Sequence, residues 1–391
     1  MEFNEFDHAM MRQVLKLAGQ GRASTQPNPM VGCVLVNEGK VVGEGFHVKT
    51  GGLHAERNAL LAAGDKARGG TAYVNLEPCC HQGRTPPCTD GLIDAGITRV
   101  VAAMADPNPL VAGGGFDLLK SAGVSVANGL MEKDARWLNR GFVTRMVHQR
   151  PWVKLKVAAT MDGKTAAADG QSQWITGDQS RTLVHELRAQ SAAVLTGIGT
   201  VLADNPSLTV RAVATERQPA RVVLDSQFRT PLDFNVVNDE ASTLLIVLEA
   251  AYANNLDKAQ RMEQAGVEVI TVADDGHGHV DLNAALSVLA KWQFNEVLVE
   301  AGAGLAGALL TAGLIDEVST FYSGGILGDT ARSMFQFDEA IEFDEMPKFT
   351  MQATQIVGED LLVESVNPTS LARLHPDTND LSINLTNNPT N

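Results

Sequence analysis

The chain has 391 residues and 41.6 kDa, room for two domains at about 100 to 200 residues each, so a single small binding module is excluded. Hydrophobic residues make up 44%, charged residues 20% and aromatics 5%, a composition that excludes a disordered or fibrous chain. The formal charge of −15 and pI near 5.0 give a field that repels nucleic-acid backbones and acidic membrane surfaces, so neither partner is expected and an anionic substrate needs a local basic pocket.

In chain order, the N-terminal MEFNEFDHAMM carries acids where a secretory signal has bases and lacks a long apolar core, so a cytoplasmic protein is expected. Residues 30–36 and 40–46 flank Asn37-Glu38-Gly39 and read as a β-hairpin. The pattern then predicts a helix at 54–63, a strand at 72–76, and a Gly/Pro/Cys-rich loop. A helix at 90–95, a strand at 99–104, a helix at 115–122, a strand at 124–126 and a helix at 131–146 follow. This first part reads as an α/β layer domain, residues 1–147.

Strands are predicted at 152–158, 192–196, 221–225, 243–248, 267–272, 296–300 and 318–322, with helices at 180–190, 256–265, 282–291 and 305–312. That order predicts a second domain, 148–366, built on a mostly parallel sheet with helices on both faces. Residues 297–315 are apolar but contain Glu300 and four glycines, which argues against a membrane span. From 367 to 391 the chain is rich in Asn, Thr and Pro and reads as a disordered tail.

All four cysteines, Cys33, Cys79, Cys80 and Cys88, lie in the first quarter of the chain, where a cytosolic setting disfavours disulfides and points to metal binding. His54-Ala55-Glu56 opens a predicted helix, and Pro78-Cys79-Cys80-His81 with Cys88 follows a strand about 20 residues later. His54, Cys79 and Cys88 supply three ligands for a tetrahedral zinc, with the fourth place left for water. Cys80 and His81 are rival ligands, although adjacent residues seldom both reach one metal; Cys33 reads as core. Zinc lowers the pKa of a bound water to about 7, and Glu56 is placed to take its proton and pass it to a leaving amine, the needs of hydrolytic deamination. H-x-E followed by P-C…C is the signature of the zinc nucleobase deaminases.

Nucleic-acid editing deaminases close that site with P-C-x-x-C, whereas here 88 − 79 = 9 gives C-x8-C. With PNPMVG (27–32), HAERNAL, LEPCCHQGRTPPC and DPNPLVAGGG (106–115), the sequence resembles the bifunctional deaminase/reductase family of riboflavin biosynthesis. The resemblance implies a cytidine-deaminase-like fold for the first half. It implies as substrate 2,5-diamino-6-(5-phosphoribosylamino)pyrimidin-4-one, whose 2-amino group is hydrolysed. The family normally reads EPCSH, so Cys80 replaces a serine. Asn28, between two prolines, reads either as a held amide that contacts the pyrimidine edge or as a simple turn. Backbone amides near Gly83, with Arg84, are candidates for the ribose phosphate.

In the second half Gly302, Gly304 and Gly307 form G-x-G-x-x-G leading into a helix, a dinucleotide-type loop. No acidic residue ends the next strand and the motif lies late in its domain, so a Rossmann domain is not expected. The family resemblance continues through KLKVAATMDGKTA (154–166), SQWITG (172–177), VLADNPSLTVR (201–211), VVLDS (222–226) and VEAGAGLAGALL. It implies a dihydrofolate-reductase-like domain that uses NADPH to reduce the ribosyl group to ribityl.

That reaction needs a hydride aimed at the carbon of an opened ribosylamine and a proton for the nitrogen; Lys156 and Asp204 are the candidates near that centre. Arg188 and Arg211 offer guanidinium forks for a sugar phosphate, and Glu300 ends a strand before the glycine loop, where recognition groups sit. By motif matching, Ser172, Arg188, Leu208, Arg211 and Glu300 resemble the family's substrate positions. Ala158, Trp174, Thr200, Asp204, Ser226, Gly302, Ala303, Gly304, Leu305, Ala306, Gly307 and Ala308 resemble its cofactor positions. Trp174 alone also reads as a core aromatic. Tyr322-Ser323-Gly324-Gly325-Ile326-Leu327-Gly328 departs from the family's Ala-Pro-Lys-Leu-Leu-Gly loop and lacks its basic residue.

The expectation is a cytoplasmic homo-oligomer that binds one zinc, NADPH and a small phosphoribosylaminopyrimidine. A nucleic-acid deaminase with an RNA-binding second domain is opposed by the charge and by C-x8-C. A non-catalytic zinc-stabilised protein would have no use for Glu56.

Overall fold

The computed structural model describes residues 3–81, 86–109 and 111–375. The chain divides into two compact units, Met1–Gln149 with Leu374–Asn391, and Arg150–Arg373.

The first unit is built on five strands, β1 (Gly32–Asn37), β2 (Lys40–Phe46), β3 (Thr71–Val74), β4 (Arg99–Ala102) and β5 (Ser125–Asn128), in the order β2-β1-β3-β4-β5. β1 runs antiparallel to both β2 and β3, whereas β3, β4 and β5 are parallel. The β1–β2 hairpin turns through Glu38 and Gly39, both at positive φ (49° and 72°), the two-residue geometry that matches strand twist. Alternation sends Val34 and Val36 to one core and Cys33 and Leu35 to the other, so this sheet is covered on both faces.

Six helices supply the cover: α1 (Glu5–Gly19), α2 (Ala55–Ala63), α3 (Cys88–Asp94), α4 (Gly114–Ser121), α5 (Glu132–Leu138) and α6 (Arg140–His148). The sequence reading lacked α1, although its start is marked by a capping box: Asn4 Oδ1 accepts the Asp7 N–H at 2.9 Å and Asp7 Oδ2 accepts the Asn4 N–H at 3.0 Å. The single helix expected over 131–146 is two, because the chain breaks at Asn139 (φ −101°, ψ 23°). Asn139 is buried, its amide accepting the Met30 N–H at 2.8 Å and donating to the Met30 carbonyl at 2.9 Å.

The second unit opens with β6 (Trp152–Thr160), β7 (Lys164–Ala166), α7 (Asp178–Gln190), β8 (Ala193–Gly197), α8 (Ile198–Asp204), β9 (Ala220–Leu224) and β10 (Thr243–Leu248). It continues with α9 (Glu249–Ala253), α10 (Leu256–Gln264), β11 (Val267–Val272), α11 (Leu282–Lys291), β12 (Glu296–Val299) and α12 (Ala303–Thr311). Last come β13 (Glu317–Ser323), β14 (Arg332–Ser333), β15 (Thr350–Val357), β16 (Asp360–Val366) and α13 (Pro368–Leu374). A nine-stranded sheet has the order β11-β10-β9-β8-β12-β6-β13-β16-β15, and the seven strands from β11 to β13 are parallel. These are the seven strands the sequence reading placed. The central runs ARVVL in β9 and TLLIVL in β10 are buried at every position, as strands covered on both faces must be.

The antiparallel hairpin β15–β16 was not expected; it adds an edge to the sheet and turns at Gly358 (φ +66°). Helix α13 corrects the start of the expected tail: Leu371 and Leu374 are buried, and apolar surface of that kind orders a helix that composition alone reads as loop. Residues 376–391 lie outside the described residues.

Candidate functional site

In the first unit the site is assembled by two helix starts and one loop. His54 is the N-cap of α2 with extended backbone (φ −73°, ψ 163°), and Cys88 is the first residue of α3. Cys79 follows β3. Its Sγ lies 3.5 Å from His54 Nδ1, and Cys88 Sγ lies 3.3 Å from the same nitrogen; all three ligand atoms fall within 4.8 Å of one another. Tetrahedral zinc with bonds of about 2.3 Å to sulfur and about 2.0 Å to nitrogen needs an S···N separation of about 3.5 Å, so the donor set fits this ion and leaves one corner open. The Cys88 N–H points to Cys79 Sγ at 3.4 Å, and hydrogen bonds from Cys88 and His54 outweigh burial to hold the Cys79 thiol well below its ordinary value. Cys80 is outside the cluster, and burial raises its thiol. Cys33 is a core residue with no exposure.

Glu56 lies in the first turn of α2 and is only 3% exposed. Burial, with Cys79 nearby, raises its carboxyl above the usual value. α2 is brought close to the sheet by Gly43 and Gly45, where a Cβ would stand 2.4 Å from the Ala59 carbonyl oxygen and 2.5 Å from the Ala59 nitrogen. Arg57 Nη2 donates to the Pro87 carbonyl at 2.8 Å and so ties α2 to the turn that delivers Cys88. Asn28 is joined to the cluster through a residue the sequence reading missed. Its Nδ2 is 3.1 Å from His47 Nε2, and the His47 ring stands edge-on to His54 at 5.4 Å.

Glu77 and Asp106 were also missed, although Asp106 begins a motif noted in the sequence. The Glu77 carboxylate is buried and accepts four backbone N–H groups, those of Asp106, Gly113, Gly115 and Phe116, at 2.9 to 3.2 Å. That grip holds Asp106 and residues 113–116 together beside Glu77, and burial pushes the Asp106 carboxyl up to about 7, with Glu77 and Cys79 acting in the same direction. Gly83 and Arg84 lie outside the described residues.

The second unit holds a cavity of about 1290 Å³ at the ends of the parallel strands. Of the positions singled out in this half of the sequence, Lys156, Ala158, Ser172, Trp174, Arg188, Thr200, Asp204, Leu208, Arg211, Glu300, Gly302, Ala303, Gly304 and Leu305 line it. Asp204 is the last residue of α8 rather than part of a free turn, because Asn205 caps that helix in the left-handed region (φ 41°). Trp174 is 70% exposed, with the Arg181 guanidinium 4.7 Å over its ring, so it is not a core aromatic.

Ser226, Ala306, Gly307 and Ala308 do not line the cavity. Ser226 Oγ accepts the Val280 N–H at 3.0 Å, Ala306 and Gly307 are buried in α12, and a Cβ on Gly307 would stand 1.8 Å from the Gln336 carbonyl oxygen. Gly304 faces open space at the start of α12, and a Cβ on Gly302 would meet only Thr200 Oγ1, at 3.9 Å; the helix N–H groups there suit a pyrophosphate. The cavity's size and this helix start fit a dinucleotide.

Arg188 gives Nε and Nη2 to the two Glu300 oxygens at 2.6 and 2.9 Å and Nη1 to the Thr209 carbonyl at 2.9 Å. Its donors are engaged in orienting Glu300. Burial acts to raise the Glu300 carboxyl, but Arg188 and Lys156 outweigh it and hold Glu300 ionised. Burial lowers the Lys156 amine below its ordinary value, opposed by Glu300 and reinforced by Arg188.

One unit with a two-thiol, one-imidazole cluster beside a buried carboxylate, and another with a dinucleotide cavity that contains a lysine and an ion-paired glutamate, define the class: a zinc deaminase joined to a reductase. Residues 4–104 match the family model of the cytidine and deoxycytidylate deaminase zinc-binding region, and residues 151–363 match that of the RibD C-terminal domain. The chain is 44% identical over 372 residues to the riboflavin biosynthesis protein RibD of Escherichia coli (strain K12), covering 92% of this chain and 99% of that protein. It is 40% identical over 359 residues to the RibD of Aquifex aeolicus (strain VF5), covering 92% and 98%.

Two solved structures are similar throughout. Acinetobacter baumannii RibD, form 1, has TM-score 0.84 and 40% identity over 93% of this chain and 99% of that one. The diaminohydroxyphosphoribosylaminopyrimidine deaminase/5-amino-6-(5-phosphoribosylamino)uracil reductase of Thermotoga maritima has TM-score 0.80 and 36% identity over the same shares. The chain belongs to the RibD family, the bifunctional deaminase/reductases of riboflavin biosynthesis. The expected fold, a cytidine-deaminase-like domain followed by a dihydrofolate-reductase-like domain, stands, as do zinc and NADPH as cofactors. Among the described residues no helix is long and apolar enough to cross a membrane.

Proposed function

We propose that this chain hydrolyses the 2-amino group of 2,5-diamino-6-(5-phosphoribosylamino)pyrimidin-4-one and then reduces the ribosyl group of the product to ribityl, giving 5-amino-6-(5-phosphoribitylamino)uracil. The observation that carries the reading is that one chain furnishes both a three-donor metal cluster with Glu56 beside it and a dinucleotide cavity containing Lys156. The deaminase spans 1–147 and the reductase 148–366, in a homo-oligomer of the cytoplasm.

In the first site His54, Cys79 and Cys88 would hold zinc, which when bound would lower the pKa of a water that attacks the amidine carbon. Glu56, whose carboxyl burial holds above the usual carboxylate range, is placed to take a proton from the attacking water and to deliver it to the departing amine. Asn28, held by His47, reads the pyrimidine edge.

In the second site Gly302, Ala303, Gly304 and Leu305 cradle the cofactor, with Ala158, Trp174, Thr200 and Asp204 along its length. Ser226, Ala306, Gly307 and Ala308 act from behind, by shaping the strand end and the helix. When bound, NADPH would supply the hydride for the carbon of the opened C=N bond. Lys156 provides the proton for the nitrogen, assisted by Asp204; Ser172, Leu208 and Arg211 hold the phosphoribosyl group, and Arg188 acts on it through Glu300.

A two-channel assay tests this on purified protein: ammonia release with and without NADPH, and NADPH consumption. The proposal requires ammonia in both cases and NADPH consumption only after deamination. NADPH oxidation that precedes ammonia release would reverse the order, and no ammonia at all would remove the deaminase reading.

A further inference from the structure

Four arginine side chains line the cavity of the second unit, and three of them have partners. Arg188 is closed on Glu300 and Thr209. Arg181 donates to the Thr176 carbonyl at 2.6 Å and pairs with Asp178, and Arg211 Nη1 donates to Thr209 Oγ1 at 2.7 Å. Arg332 has no hydrogen bond or ion pair to any described residue.

Its place is nevertheless set by the backbone. Arg332 pairs with Ala166 in the short β7–β14 ribbon, and its guanidinium lies against Gly170, where a Cβ would be 2.9 Å from Nη2 and 3.3 Å from Cζ. Gly170 has φ +94°, so glycine there both permits the turn and leaves room for the guanidinium.

Most exposed arginines are simply solvated. What sets Arg332 apart is that it faces a cavity whose ligands carry a pyrophosphate, a 2′-phosphate and a sugar phosphate, in a protein of net charge −15. The start of α12 suits the pyrophosphate and Arg211 has donors left for one further phosphate, which leaves one phosphate without a matched cation.

We propose that Arg332 is a phosphate-binding residue of this cavity, giving its guanidinium either to the 2′-phosphate of the dinucleotide or to the phosphate of the phosphoribosyl substrate. The inference rests on the reductase reading of the second unit.

The test uses the full chain with Arg332→Gln and Arg332→Lys. NADPH and NADH are titrated by nicotinamide fluorescence without substrate, and the KM for the deaminated substrate is measured at saturating NADPH. Loss of one charged, forked contact weakens its ligand about 10- to 100-fold. A rise of that size in the Kd for NADPH but not NADH identifies the 2′-phosphate; a rise in substrate KM alone identifies the substrate phosphate. Arg332→Lys should fall between the wild type and Arg332→Gln, and Gly170→Ala, which displaces the guanidinium, should weaken the same ligand. Circular dichroism and the denaturant unfolding transition of the full chain serve as the folding control. Unchanged constants in a folded Arg332→Gln, or equal losses for NADPH and NADH, overturn the proposal. A wild-type chain that binds neither dinucleotide overturns the reductase reading itself.

Discussion

Lys156 sits in the cavity where burial disfavours its charged form and Glu300 favours it, with the net shift downward from 10.5. If its ammonium is the proton donor in reduction, the rate falls as pH rises through its pKa, so the basic limb of the reductase profile should lie below pH 10.5. Lys156→Met should cost about 10² to 10⁴ in kcat, the usual range for a lost proton-transfer group, and should abolish that limb. A limb that persists unchanged in the variant assigns the proton to another group. At the metal cluster, Cys80 adjoins a ligand but lies outside the three-atom group. Cys80→Ser should therefore keep one zinc per chain by metal analysis, whereas Cys79→Ser should lose it. The sequence named Cys79 as ligand and Cys80 as its rival; the helix and loop geometry leaves Cys80 outside the three-atom group. Glu77 and Asp106 were invisible because each acts through contacts about 30 residues along the chain, and His47 because its part depends on the ring packing beside His54 and on its contact with Asn28.

At the scale of elements, the strands buried on both faces were legible because their apolar runs have the right length and are bounded by turns, and the β1–β2 hairpin was legible from its turn residues. What escaped were features decided by partners. The break between α5 and α6 follows from Asn139 gripping the Met30 backbone, more than 100 residues away. In the β15–β16 hairpin, β15 has mostly exposed, mixed side chains and so lacks a clear alternation. The segment that carries Asp106 depends on Glu77 in the same way. Glu77→Ala leaves four N–H groups without their acceptor and should destabilise the first unit by about 3 kcal/mol in denaturant unfolding. Gly45→Ala forces a Cβ to 2.5 Å from α2 backbone; it should cost about 1 to 3 kcal/mol and lower deaminase kcat, because α2 carries both His54 and Glu56. A stability loss with unchanged kcat would show that the helix start tolerates the shift.

For the whole molecule, the zinc deamination and a dinucleotide site were readable from local motifs, since zinc ligands and glycine loops are set by spacing, whereas the reduction came from likeness to a family. The particular substrate came from likeness to a family, because no residue pattern spells out a pyrimidine. The two units have separate cores and separately furnished sites, which leads to the central claim that one chain performs two chemically independent steps in a fixed order. The most direct measurement is NADPH oxidation by a zinc-loaded Glu56→Gln chain, given either the diaminopyrimidine substrate or its deaminated product. Oxidation with the product at the wild-type rate, and none with the diaminopyrimidine, is the expected result. Oxidation with the diaminopyrimidine, or loss of oxidation with both in a folded protein, would contradict independent sites acting in that order.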